Sequence, residues 1–390
     1  MQPLQRNIVT PESTQQTLFS YNAASAVASV KGKKVALDFQ GGNITSDAGV
    51  LLLRETELKL GLITMLAKCI NDTRRSSSIT HQKTELLTQR ILQIACGYED
   101  ANDSNSLRKD PALKMALGLL PVYEGFSGKL ITTILRPGKR PGGKEIVSYV
   151  KRIVERIRQQ WPDTGLVYRG DSHYSVPEVF TYLDQQTDCY SVTGLTGNNV
   201  LLKHVEPLIK HVQQQPAGFK RYHAFMYQAQ SWSKPRTVVA KVEMTDIGKL
   251  NVRFISTDMH KAKAKALYEG IYCARGNDEL YIKDHKTYTK SDRTSCHRFL
   301  ANQFRLFLHS AAYVLLHSFR ANLLKGTSLG TATFDSIRLK LLKTGARIIE
   351  LKTKISVHLP TAYPYKGILS KCLAIFEHLR AQPWPPPAIT

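Results

Sequence analysis

The chain has 390 residues, 42% apolar and 22% charged, a globular composition that excludes a disordered or collagen-like chain and allows two or three domains. Lysine and arginine number 54 against 31 aspartate and glutamate, a formal charge of +23 that asks for a polyanionic partner, most simply nucleic acid. No uninterrupted apolar run reaches the ~18 residues of a membrane span, and the start MQPLQRNIVTPESTQQ lacks the apolar stretch of a signal peptide, so a cytoplasmic chain is expected.

In chain order, residues 1–30 are polar and without periodicity. KKVALDF (33–39) reads as a strand closed by the turn Gly41-Gly42-Asn43. Ser46 or Asp47 is placed to cap a helix through AGVLLLRETELKLG that stops near Gly61. A second helix is expected over about 81–97, and Asp110-Pro111 reads as another helix start. After Gly118 the texture changes. LPVYEG and GKLITTILRPG read as antiparallel strands joined at Gly125–Gly128. Residues 144–160 form a basic amphipathic helix, with Ile146, Val147, Val150, Ile153, Val154 and Ile157 at helical spacing and Trp161-Pro162 ending it. GLVYRGDS is a buried strand finishing at Asp171, and DCYSVTGL is another. From 189 to 257 the pattern is strand-rich (FKRYHAFMYQ, RTVVAKVEM, VRFISTD), and after 260 it returns to helices. The expected fold is α/β: a helical N-terminal region, then a strand–helix–strand core with a β-rich insertion, then more helices.

The charge is uneven. Residues 1–118 carry 14 basic and 11 acidic residues, and 119–390 carry 40 and 20. The excess gathers in RPGKRPGGK (136–144), KRIVERIR (151–158), KAKAK (261–265) and RLKLLKTGARIIELKTK (338–354). One such cluster is an ordinary solvated surface. Their sum suits phosphate contacts and counterion release. Six cysteines are scattered without a C-x-x-C pair, so free thiols are expected, not a zinc site or disulfide framework.

Two groups of residues point to chemistry. Asp171 ends an apolar strand, the end at which α/β sheets carry ligands. Downstream, Tyr272, Arg275, Glu279 and Lys286 have offsets of 0, 3, 7 and 14, which at ~100° per residue fall within an arc of about 60°. A packing stripe is apolar. A row of hydroxyl, guanidinium, carboxylate and ammonium groups suits a site that handles a phosphate and a cation.

These residues carry a resemblance. The Tyr-x2-Arg-x3-Glu-x6-Lys spacing resembles the signature of bacterial insertion-sequence DDE transposases. VALDFQGGNITSDAGVLLLRE, GYEDANDSNSLRKDPALKMALG, LVYRGDS, SWSKPRTVVAK, IYCARGNDE, RTSCHRFLANQFRLFLHSAAYVLL and IRLKLLKTGA look like blocks of the insertion-sequence group numbered thirteen-eighty. The resemblance implies an RNase H-like catalytic domain with a β-stranded insertion, which the 108 positions from Asp171 to Glu279 accommodate. It implies the divisions 1–118 (helical, DNA-binding), 119–188 (first part of the core), 189–262 (β-rich insertion), 263–325 (signature helix and rest of the core) and 326–390 (basic region). It makes Asp171 and Glu279 metal-binding catalytic carboxylates for Mg²⁺ or Mn²⁺, and Tyr272, Arg275 and Lys286 contacts to the DNA backbone. In the block SWSKPR, Trp232 and Arg236 are the candidates for contacting DNA from the insertion, Trp232 by stacking on a flipped base or else by packing in the hairpin. Double-stranded transposon ends, target DNA and a homodimer on DNA are the implied partners.

The first catalytic Asp of the family lies on the first core strand, and no such segment is present. KMALG (114–118) passes straight to LLPVYEG (119–125), as though several dozen residues were absent at 118/119. Glu124 is the nearest carboxylate that could substitute. Three readings follow: a transposase that cuts and joins DNA, an internally deleted relic that binds DNA without cutting and acts as an inhibitor, or a generic RNase H-like nuclease or RNA-binding protein, which the signature helix argues against.

Overall fold

The structure is a computed structural model, and it describes residues 44–74, 79, 81–98, 117–137, 140–293, 296, 298–351 and 353–380. The expected strand at 33–39, its Gly41-Gly42-Asn43 turn and the Asp110-Pro111 helix start lie outside these residues.

β1 (Ile44–Thr45) leads to the helix Val50–Leu60. That helix stops where expected: Gly61 is left-handed (φ 62°) and donates its N–H to Glu57 O, and Leu62–Lys68 then begins. The start differs from expectation. Gly49, not Ser46 or Asp47, is at the N-cap. A Cβ on Gly49 would stand 1.9 Å from Leu341 O, so the chain needs glycine where it crosses that backbone. Asp47 is drawn off by Lys343 Nζ (3.2 Å) and the Tyr98 hydroxyl (2.8 Å). Lys83–Ala95 follows, with Glu85 Oε2 accepting the Gln82 N–H at its start.

β2 (Leu117–Tyr123) and β3 (Leu130–Pro137) form an antiparallel hairpin and a two-stranded sheet of their own. The helix Gly143–Gln160 buries Ile146, Val150 and Val154 against Val179, Leu183 and Cys189. β4 (Leu166–Gly170) and β5 (Cys189–Leu195) are parallel, joined through the helix Pro177–Leu183. After the short helices Asn199–His204 and Glu206–Gln213 come β6 (Lys220–Tyr227), β7 (Arg236–Met244) and β8 (Leu250–Thr257). β8 adds antiparallel to β5, with Val192 opposite Thr257. The five-stranded order is β4-β5-β8-β7-β6.

The signature segment is not one regular α-helix. A π-turn (Ala266–Tyr272), a 3₁₀ turn (Cys273–Arg275), an α-helix (Gly276–Lys283) and a second π-turn (Asp284–Tyr288) follow one another. The i→i+5 bonds from Cys273 N–H to Tyr268 O and from Thr289 N–H to Asp284 O mark the two wide turns. The long helix Phe299–Leu323 runs through the main apolar cluster, where Leu315, Leu316 and Phe319 meet Leu53, Ile91 and Ile94 of the N-terminal helices and Phe334 and Leu342 beyond it. The N-terminal helices thus share a core with the C-terminal part of the chain.

After 260 the chain is not helical throughout. β9 (Ala346–Glu350) and β10 (Ile355–His358) form an antiparallel pair, and β1 adds to the other edge of β9. The lysines and arginines of 338–354 hide this strand from a charge count, although the β-branched Ile348-Ile349 pair suits it. Lys366–Arg380 closes the described chain.

Candidate active site

Gly170 is level with Thr193 in the parallel register, so Asp171 and Gly194 come at the same end of adjacent strands. Asp171 follows β4 directly, and its Oδ1 accepts the His173 N–H at 2.8 Å, which fixes the carboxylate at the mouth of the strand. Arg275 approaches the other oxygen, with Nη1 3.7 Å from Oδ2. Tyr272 lies across the end of β5: a Cβ on Gly194 would stand 2.7 Å from its hydroxyl and 2.9 Å from the Ser172 backbone nitrogen. Only a residue without Cβ lets the signature segment come this close. A cleft of about 250 Å³ opens here, lined by Ser172, Gly194, Gly197, Arg253, Tyr268 and Tyr272. Arg275 stands 5.8 Å over the Tyr272 ring.

Asp171, Tyr272 and Arg275 are therefore brought together. Glu279 is exposed on Gly276–Lys283, one helical turn beyond Arg275 and so on the same face. Lys286 is exposed on the second π-turn.

Trp232 and Arg236 do not line the cleft and lie inside the protein. Trp232 is 8% exposed and packs edge-on against Phe180 and Tyr227, both at 5.6 Å. Arg236 is 1% exposed, pairs with Asp184 (2.6 Å) and Asp258 (3.2 Å), and lies 4.3 Å over the Phe180 ring.

Two contacts were not legible in the sequence. Arg169, on β4, reaches Asp278 (3.3 Å), the Ile271 carbonyl (3.2 Å) and the Gly125 carbonyl (3.4 Å). It ties β4 to the signature segment and to the β2–β3 turn. Burial pushes the Asp278 carboxyl up, against the pull of Arg169 and Arg275. The only hint was a basic residue within an apolar strand, LVYRG. Glu124 serves the hairpin turn. It accepts the Phe126 N–H (2.9 Å), the Ser127 N–H (2.7 Å) and the Ser127 hydroxyl. Burial raises its pKa, but these bonds and Lys129 outweigh that and hold it below the usual carboxylate range.

The donor set does not fit a pair of divalent ions. Among the described residues, no three His, Cys, Asp or Glu side chains converge to hold a metal. The Asp171 carboxylate is already engaged by the His173 amide and faced by Arg275. What the arrangement offers is a tyrosine hydroxyl and a guanidinium at the mouth of a cleft, donors suited to phosphate oxygens.

A family model described as transposase DDE domain group 1 matches residues 27–124 and 120–381. No curated protein matches. Among solved structures, the chain is similar to a cryo-EM structure of the piggyBac transposase synaptic complex with hairpin DNA. The TM-score is 0.37 at 10% identity, covering 89% of this chain and 87% of that one. With the family model running over most of its length, the chain belongs to the transposase DDE domain group 1 family.

Proposed function

We propose that this chain is a DDE-type transposase of a bacterial insertion sequence, of the group numbered thirteen-eighty, shortened internally so that it binds inverted-repeat ends but no longer cuts them efficiently. The observation that supports the reading is a pair of open sheet edges. Among the described residues β2 pairs only with β3, and β4 only with β5, so each keeps an open edge. Arg169 reaches from β4 to the carbonyl of Gly125 in the turn after β2, so that turn lies within one side chain's reach of β4. In an RNase H-like core a strand belongs between β2 and β4, and the resemblance assigns the first catalytic Asp to it. The family match breaks into two pieces that meet at 120–124, close to the same point.

Asp171 and Glu279 are then two members of a trio that Mg²⁺ or Mn²⁺ requires, and positioning to fractions of an ångström is lost with the third. Tyr272, Arg275 and Lys286 remain suited to grip the backbone of duplex DNA, backed by the excess of basic residues after 118. A homodimer paired on two ends, or a mixed dimer with a complete copy, follows from the resemblance.

The test uses inverted-repeat duplex taken from the element that carries the gene. With Mg²⁺ or Mn²⁺, a gel shift that prefers the repeat over random duplex is expected, without nicks at the end. Nicks abolished by Asp171→Ala would establish the other reading, an active transposase. Equal binding to random duplex would sink end recognition altogether.

A further inference from the structure

Strand register places basic side chains in a row across the face of the five-stranded sheet that meets the signature segment. Arg253 on β8 stands opposite Lys241 on β7, and Lys241 opposite Tyr222 on β6. One pair further out, Glu243 stands between Asn251 and Lys220. Partners in register, and alternate residues of one strand, share a face. This is therefore the face on which Val239 and Ile255 pack with Leu267 and Tyr268. At the inner end of the row Arg253 lines the cleft beside Asp171, together with Tyr268 and Tyr272. Gly194 is level with Asp171 and opposite Ile255, which puts Arg253 two strands and two residues from Asp171, about 12 Å at ordinary sheet spacings. At the outer end β6 pairs only with β7 among the described residues, and a second cleft of about 540 Å³ has Phe219, Lys220, Arg221, Tyr222 and Lys265 in its lining.

The charges on this face do not balance. Lys241 pairs with Glu243, which also accepts from Asn251 Nδ2 (2.7 Å). Glu269 of the signature segment is shared by Lys220 (2.8 Å), Lys265 (3.8 Å) and the Tyr222 hydroxyl (2.6 Å). Arg253 is left over: it is exposed and makes no hydrogen bond or ion pair with a described residue. Like charges directly opposite on neighbouring strands are unfavourable, yet Arg253 faces Lys241. The KAKAK run adds to the excess. Ala262 and Ala264 pack against the apolar cluster of this face, which leaves Lys261 and Lys263 exposed beside Lys265.

We propose that this face of the sheet is the surface along which the phosphate backbone of duplex DNA leaves the cleft, with Arg253 the contact nearest Asp171 and Lys265 at the far edge. The proposal rests on the reading above that the cleft receives DNA. A guanidinium without an acid of its own is a ready partner for phosphate oxygens, and an anion lying over the row relieves the repulsion between Arg253 and Lys241. From β8 to β6 is two strand spacings, about 10 Å, over which one DNA strand presents about three phosphates at ~3.4 Å of axis each. The opposite face of the sheet is closed by the helices Asn199–His204 and Glu206–Gln213, whose Leu201 and Ile209 pack with Val238, Ala240 and Phe254.

The experiment compares the full chain with Arg253→Gln, Lys265→Gln and Lys203→Gln, the last an exposed lysine on a helix of the opposite face. The probe is random duplex over a salt series, read by fluorescence anisotropy. Arg253→Gln and Lys265→Gln are each expected to make the slope of log K against log salt shallower by about 0.9, and Lys203→Gln to keep the parent's slope. Arg253→Gln is also expected to keep or raise Tm, because it removes a like-charge pair; a merely structural arginine would lower it. The proposal is overturned if both face variants keep the parent's slope, or if Lys203→Gln loses as much as they do, since net charge alone would then be felt. Lys265→Gln keeps the test open if Arg253→Gln does not fold. A shallower slope in Arg275→Ala with neither face variant changed overturns the face and leaves the cleft reading intact. Binding to random duplex without preference for the inverted repeat sinks end recognition alone, since the slopes do not depend on it.

Discussion

Arg275 faces Asp171 across 3.7 Å, and the Asp171 carboxylate also caps the turn that follows β4. The guanidinium occupies the approach to the carboxylate that the proposed reading gives to a metal. Two side chains of opposite sign at one mouth should therefore respond oppositely to a polyanion.

Both are partly solvated, so the pair itself contributes little to stability, about 0–1 kcal/mol. Arg275→Ala should leave Tm nearly unchanged and weaken duplex binding, lowering the salt slope by about 0.9. Asp171→Ala, measured in EDTA, should strengthen binding, because it removes a negative charge near the phosphates. Fluorescence anisotropy over a salt series checks both signs. Equal losses from the two variants would mean that the cleft does not face DNA.

Gly194 tests how closely the signature segment sits on β5. Its Cβ would meet the Tyr272 hydroxyl at 2.7 Å and the Ser172 backbone nitrogen at 2.9 Å. The hydroxyl can move and the backbone cannot. Gly194→Ala should cost about 1–3 kcal/mol in urea unfolding. Adding Tyr272→Phe should recover part of that loss but not all, as a double-mutant cycle will report.

Trp232 and Arg236 separate packing from recognition. Trp232→Ala opens a cavity between Phe180 and Tyr227 and should cost about 3–5 kcal/mol. Arg236→Ala leaves Asp184 and Asp258 without their buried partner and should cost about as much. Urea unfolding of both variants measures this. A folded Trp232→Ala protein of unchanged stability that has lost DNA binding would instead return the indole to the DNA-contacting role its sequence block suggests.

The strands were legible wherever apolar alternation and turn residues agreed. β7 has the limits that RTVVAKVEM predicts, and Asp171 stands directly after β4 as LVYRGDS implies. The gathering of Asp171, Tyr272 and Arg275 is consistent with the signature spacing, although the segment reaches it through two π-turns that no periodicity of apolar residues encodes. β9 was missed because charge dominated its window. The Arg169–Asp278 pair was invisible for a different reason. Its members are 109 positions apart, and long-range pairing leaves no local trace. The burial of Arg236 was hidden likewise, since its carboxylates come from Asp184 and Asp258 on separate elements.

The long helix and the second π-turn bury three histidines whose titration should govern acid stability. His285 is hydrogen-bonded to Ser310 and Ser291, and Ser310 in turn to Thr133 on β3. Burial lowers the pKa of His285 to about 3, and of His309 and His317 to about 4. In the unfolded chain all three titrate near the ordinary value of about 6.5. The folded protein keeps them neutral while the unfolded chain takes up protons below that value. Their contribution is therefore full above pH 6.5 and is lost progressively as pH falls toward 4. Each histidine steepens the loss by up to about 1.4 kcal/mol per pH unit in that window. Urea midpoints at pH 8, 7, 6 and 5 should be level between the first two and fall through the rest. His317→Phe should flatten the fall by one proton's worth, its ring stacking on Tyr313 in place of the imidazole. A wild-type midpoint that stays level to pH 5 would mean that these rings are not held neutral in the folded chain.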